Sequence, residues 1–146
     1  MTDFNFILPN LLAQGARPPT GAALPFDTVV LCAVEAQPHL AQRGLEVLRL
    51  RLNDDGEVPT QEEMQQAVDA GWAVARRLKQ RKRVLVTCQM GLNRSGLVSA
   101  LALMNLGCTP ARAIAKVKKA RGAFALSNKH FRTFVEMYGR EMRRAG

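Results

Sequence analysis

Residues 88 to 95 read Cys-Gln-Met-Gly-Leu-Asn-Arg-Ser: a cysteine, five intervening residues, then an arginine and a serine. The apolar run Val84-Leu85-Val86 leads into them, and an Ala/Leu/Val-rich stretch from Arg94 to Leu106 leads out. A strand entering and a helix leaving put this loop at a helix N-terminus, where backbone N–H groups gather around an anion. Such a nest favours a thiolate and binds a tetrahedral oxyanion, usually phosphate. Cys88 is then the candidate nucleophile on phosphorus. Arg94 offers a planar fork that matches two phosphate oxygens, which a lysine cannot do. Gly91 allows an unusual backbone conformation close to the phosphate. Ser95 is suited to donate a hydrogen bond to the Cys88 sulfur, making it a better leaving group. Asn93 is suited to hold the loop through side-chain to backbone bonds. Gln89, Met90, Gly91, Leu92, Asn93 and Arg94 form the candidate phosphate-binding set. An inert cysteine at a strand end would not account for glycine, arginine, serine and helix in one register.

Phosphoester cleavage also needs a proton for the leaving oxygen, from a group on a loop that can close over the site. Asn53-Asp54-Asp55-Gly56-Glu57-Val58-Pro59 follows a strand and precedes a capped helix. It therefore falls at the same end of the sheet as the nest. Its adjacent aspartates leave the acid open between Asp54 and Asp55.

The elements that must position these residues are legible from pattern. Phe4 to Ile7 and Leu11 to Ala13 read as short strands about the Pro9-Asn10 turn. Thr28 to Cys32 is a continuous apolar run, suited to a strand buried on both faces. Val47 to Leu52 alternates apolar and basic residues, and Arg83 to Thr87 enters the loop. Thr60-Gln61-Glu62-Glu63 is a capping box that opens a helix with apolar positions at Met64, Val68, Trp72, Ala75 and Leu78. Arg94 to Leu106 is a helix stopped by Gly107. Thr109-Pro110 starts another that Gly122 ends, and Ser127 is expected to cap a last helix to about Arg144. Strands with βα crossovers, followed by helices, predict an α/β fold with a central, mostly parallel sheet.

Length and composition bound the function. The 146 residues suit one domain, 1–146, with its own core. No N-terminal signal pattern and no apolar run of about 18 residues is present, so a cytoplasmic protein without a membrane span is expected. The three cysteines (Cys32, Cys88, Cys108) and two histidines (His39, His130) are widely spaced, so neither a disulfide framework nor a metal site is expected. Cys32 reads as a core residue on a strand that could neighbour that of Cys88, where oxidation would join the two. The net charge of +9 concentrates in Arg76 to Arg83, Lys116 to Arg121 and Arg140 to Arg144. Solvated helix faces account for these runs. With one Trp and one Tyr, the chain offers little base-stacking surface, so nucleic acid is a minor reading.

Cys88 to Ser95 resembles the cysteine-dependent protein tyrosine phosphatases, whose signature is His-Cys-x-x-Gly-x-x-Arg-Ser/Thr. Leu11-Leu12-Ala13-Gln14-Gly15 is similar to the family's opening strand and glycine. Asp55-Gly56-Glu57-Val58-Pro59 resembles the Asp-Gly-x-x-Pro acid loop of its compact microbial members, in the small dual-specificity branch. Ser127-Asn128 with Phe131 resembles its Pro-Asn-x-x-Phe start of the final helix. Thr87 stands where the family has His. The resemblance implies the dual-specificity phosphatase fold, with helices flanking the sheet, and two displacements through a phosphocysteine without cofactor or metal. By that match Asp55 is the acid, with Asp54 second, and a phosphoprotein is the expected partner. Rhodanese-like sulfurtransferases share a cysteine nest but need no upstream acid. Low-molecular-weight phosphatases place the cysteine before the acid. A phosphate-binding module without catalysis would not need the full set. A phosphoinositide or an RNA 5′-triphosphate is the alternative substrate, although Gln89, Met90 and Leu92 carry no charge. Oligomeric state is not encoded in any of these patterns.

Overall fold

In a computed structural model, residues 2–145 are described. Five strands, β1 (Phe4–Leu8), β2 (Leu12–Gly15), β3 (Thr28–Ala33), β4 (Glu46–Leu52) and β5 (Val84–Thr87), form one sheet in the order β1-β2-β5-β3-β4. Only β1 runs antiparallel to its neighbour. The helices among the described residues are α1 (Gln61–Lys79), α2 (Arg94–Asn105), α3 (Pro110–Arg121) and α4 (Lys129–Ala145). The α/β architecture is the expected one, a mostly parallel sheet flanked by helices.

β5 lies at the centre with all four of its residues buried, and its one polar side chain, Thr87, is satisfied inside the sheet by Val30 O. β2 and β3 flank it, with Gly15 and Leu31 both in register with Thr87. These pairings fix where the chain leaves the sheet, and so where Cys88 begins. Alternate strand residues serve two cores, as the pleat requires. Val30, Val84 and Val86 pack with Leu97, Leu101 and Phe131 of the helices. Val29, Leu31 and Leu85 pack with Leu24, Phe26 and Leu40 on the other face.

The capping box forms as expected: Thr60 Oγ1 accepts from Glu63 N–H at 3.1 Å, and Glu63 Oε1 accepts from Thr60 N–H at 3.1 Å. Glu63 Oε2 also accepts from the N–H of Asn53 at 2.9 Å, pinning the start of the aspartate loop to the start of α1. Two expectations shift. The buried stripe of α1 runs through Ala67, Ala70, Gly71, Val74, Ala75 and Leu78, and Trp72 is 40% exposed. Small residues win that face because α2 comes so close: a Cβ on Gly71 would sit 2.8 Å from Leu101 Cβ. At α4 the cap is Asn128 rather than Ser127, since Asn128 Oδ1 accepts from the N–H groups of His130 (2.9 Å) and Phe131 (3.2 Å).

Among the described residues, no helix is long and apolar enough to cross a membrane.

Candidate active site

The loop between β5 and α2 is held from outside by its carbonyls. Gln89 O accepts from Arg17 N–H at 3.2 Å. Met90 O accepts from Arg121 Nη2 at 3.1 Å. Gly91 O accepts from Gln14 Nε2 and from Arg121 Nε, both at 3.0 Å. Leu92 O accepts from Leu126 N–H at 3.2 Å. Four consecutive carbonyls thus face away from the loop's centre. The N–H groups of Gln89 to Asn93 make no hydrogen bond among the described residues. Gly91, Leu92 and Asn93 are buried or half-buried, where an unpaired N–H is rare, so their N–H groups are free to meet an acceptor. Gly91 takes φ +72°, and a Cβ there would sit 2.5 Å from Gly15 O and 2.6 Å from Ala16 N. The glycine is required both by its conformation and by the approach of β2.

Cys88 is 3% exposed at the floor, its Sγ 3.2 Å from Ser95 Oγ. Thr87, in the position before it, spends its hydroxyl on Val30 O at 3.0 Å. Arg94 opens α2 and is nearly buried. Its Nη1 and Nη2 donate to Glu35 Oε1 (2.5 Å) and Oε2 (2.7 Å), and Nη1 also donates to Leu52 O at 3.2 Å. A guanidinium has five N–H bonds. Three are used here, which leaves Nε–H, buried without a partner, and the second N–H of Nη2. These two lie side by side, the spacing a tetrahedral anion's oxygens need. Burial works to lower the Arg94 pKa, but the Glu35 bonds and the charges of Cys88, Glu35 and Asp54 raise it above its ordinary value. The same bonds lower the Glu35 pKa.

The two aspartates separate clearly. Asp54 Oδ2 accepts from Asn93 Nδ2 at 3.0 Å and Asp54 Oδ1 from Asn128 Nδ2 at 2.8 Å. Asn93 Oδ1 accepts in turn from Asn128 N–H at 3.0 Å. Asp54 is therefore fastened to the rim of the loop, and Asn93 ties loop, aspartate segment and α4 together. Asp55 makes only a local turn, accepting from Glu57 N–H at 3.1 Å, and is exposed.

All the residues singled out from sequence converge here except Asp55, which stands at the tip of its loop. Sequence reading gave no site role to Glu35, Gln14, Arg121 or Asn128. Gln14 carried a signal, being polar between Leu12-Ala13 and Gly15 in a strand that must be buried. Cys32 lies one residue past the Leu31–Thr87 pair, so β3 brings it beside Cys88. Burial pushes the Cys32 thiol well up, and the neighbouring charge of Cys88 adds to this.

The family described as dual specificity phosphatase, catalytic domain, matches residues 13–140. The chain belongs to that family. This places it in the cysteine-dependent protein tyrosine phosphatase superfamily, as a compact dual-specificity phosphatase. Solved structures show the same fold at low identity. Human DUSP28 is 22% identical over 96% of this chain and 95% of its own, with a TM-score of 0.81. A mutant form of Tk-PTP is 24% identical over 97% of each chain, at 0.80. PTPMT1 in complex with PI(5)P is 18% identical over 98% of this chain and 99% of its own, at 0.74. No curated protein matches this phosphatase in sequence.

Proposed function

We propose that this phosphatase is a single catalytic domain that hydrolyses phosphotyrosine, and also phosphoserine or phosphothreonine, on proteins through a phosphocysteine. In the first step the Cys88 thiolate attacks phosphorus, the P–O bond to the leaving group breaks, and Asp55 gives its proton to that oxygen. In the second step water attacks the phosphocysteine, Asp55 takes a proton from it, and the P–S bond breaks. Ser95 supports the departing Cys88 sulfur from 3.2 Å. The cradle N–H groups and the free Nε/Nη2 edge of Arg94 hold the equatorial oxygens throughout, where charge develops.

One observation carries the reading: four outward carbonyls leave the loop's N–H groups and one edge of Arg94 unpaired around a buried thiol. Asp55 is assigned the acid, reaching the leaving oxygen when its exposed loop closes, because Asp54 is already fastened at both oxygens. Uncharged Gln89, Met90 and Leu92 favour a single phosphate on protein over a polyphosphorylated inositol. The thiols of Cys32, Cys88 and Cys108 are all free, which suits a reducing compartment.

The test is turnover of p-nitrophenyl phosphate, phosphotyrosine and phosphoserine peptides, a phosphoinositide and triphosphorylated RNA. Cys88→Ser abolishes hydrolysis while inorganic phosphate still binds. Asp55→Asn slows substrates with poor leaving groups most. Undiminished turnover by Cys88→Ser overturns the mechanism, and a larger effect from Asp54→Asn moves the acid to Asp54.

A further inference from the structure

Arg121 belongs to a basic run on α3, yet its side chain is only 6% exposed. All three of its nitrogens are committed. Nε and Nη2 donate to Gly91 O and Met90 O, at 3.0 and 3.1 Å. Nη1 donates to Asp3 Oδ1 at 2.9 Å and Asn5 Oδ1 at 2.7 Å. The guanidinium therefore bridges two consecutive carbonyls of the loop on one side and, on the other, Asp3 just before strand β1 and Asn5 within it. Gln14, fully buried on β2, donates to Gly91 O from a second direction.

A peptide unit turns as a plate. Holding the carbonyls of Met90 and Gly91 outward is the same as holding the N–H groups of Gly91 and Leu92 inward. Gly91, at φ +72°, is the most freely rotating link of the loop. The restraint acts where the backbone would otherwise give. We infer that Arg121, assisted by Gln14, is a positioning residue for phosphoryl transfer, one that aims the loop's N–H groups without touching the substrate. Asp3 and Asn5 aim Arg121 in turn, so strand β1 serves the site although it contributes nothing to the pocket. The inference rests on the phosphatase reading of the loop.

Lysine at position 121 separates aiming from gluing. It keeps a charge near Asp3 and much of the stem but lacks the planar fork that spans two carbonyls. Arg121→Lys and Arg121→Met are compared with wild type by thermal melting, p-nitrophenyl phosphate kinetics, inhibition by vanadate, and the rate at which iodoacetamide alkylates Cys88 at fixed pH. Gln14 still holds Gly91 O in both variants, so only the Met90 carbonyl is fully released. The expected loss is accordingly about tenfold in kcat and in vanadate affinity, below the roughly hundredfold that follows a full 1 Å displacement. Alkylation of Cys88 slows in the same order, and Arg121→Lys melts near wild type.

Arg121→Lys that folds and matches wild type in kcat, vanadate affinity and alkylation rate overturns the inference. So does Arg121→Met that loses only melting temperature. If Arg121→Met does not fold, Arg121→Lys decides alone. A wild-type protein that neither turns over aryl phosphate nor binds vanadate overturns the phosphatase reading instead. The alkylation rates still report whether Arg121 shapes the loop.

Discussion

Replacing Gly91 by alanine isolates what the loop's geometry is worth. The new Cβ would lie 2.5 Å from Gly15 O and 2.6 Å from Ala16 N. Ordinary contacts of this kind sit near 3.5 Å, so loop and β2 must part by about 1 Å. The atoms in the way are backbone on a paired strand and cannot swing aside. A non-glycine residue at φ +72° costs a further 1–2 kcal/mol, approximately. With overpacking of about 1–3 kcal/mol, a loss near 3 kcal/mol is expected, or about 10 °C in melting temperature for a chain of this size. Displacement of the N–H groups by about 1 Å lowers kcat/KM by about a hundredfold. Gly44→Ala is the control, with φ +81° and nothing within 4 Å of its added Cβ. It should lose stability only by the conformational part and retain full kcat/KM. Calorimetry and aryl phosphate kinetics on the three proteins check this. Gly91→Ala with wild-type kcat/KM, or with losses identical to those of Gly44→Ala, would refute the close-approach argument.

Glu35→Gln leaves Arg94 with one acceptor in place of a carboxylate. Because Glu35 is half exposed, about a fivefold to tenfold rise in KM and in the phosphate inhibition constant is expected, measured at pH 7. Glu46, hydrogen-bonded to Arg77 at 2.6 and 2.8 Å, has its pKa lowered from 4.5 to about 2. A depressed carboxyl stabilises the fold above its unfolded pKa and loses that contribution as pH falls from about 4.5 to about 2. The melting-temperature gap between wild type and Glu46→Gln should therefore close across that window. Its full size is about 1 kcal/mol or less because the pair is partly solvated, and a gap independent of pH would refute the assignment. Peroxide should convert the Cys88 thiolate to a sulfenic acid, which the Cys32 thiol displaces with loss of water to give a disulfide. Mass spectrometry of treated wild type and Cys32→Ser checks this, and a sulfinic Cys88 in both would count against it.

The elements of the fold were legible because their signals are local. A capping box, a Thr-Pro start, an apolar run and stop glycines each act within a few residues, and each appears where the sequence places it. The strand-loop-helix setting of Cys88, Arg94 and Ser95, and the place of the aspartate loop before α1, were legible for the same reason. The partners that aim them were not. Glu35 lies 59 positions from Arg94, Gln14 is 77 from Gly91, and Asn128 is 74 from Asp54. Such pairs are set by strand order, which periodicity does not encode. Charge misled most at Arg121, where a basic run on a helix reads as solvated. The runs proved partly structural: Arg77 pairs with Glu46, Arg83 lies 5.6 and 5.5 Å from the ring centres of Phe6 and Phe26, and Lys118 caps Ala123 O and Ala125 O.

All twelve residues of α2 are buried, whereas Asn53 to Val58 are exposed throughout. The two halves of the proposed chemistry therefore belong to different regimes of local stability. Amide hydrogens of α2 should exchange with solvent only when the whole domain opens, and those of the aspartate loop through small local fluctuations. Substitutions reach the two halves just as unequally. Changes in the loop can retune which leaving groups are accepted at little cost to folding, while almost any change along α2 trades directly against the integrity of the core. Over many generations, such a scaffold would drift in substrate preference long before it drifted in reaction.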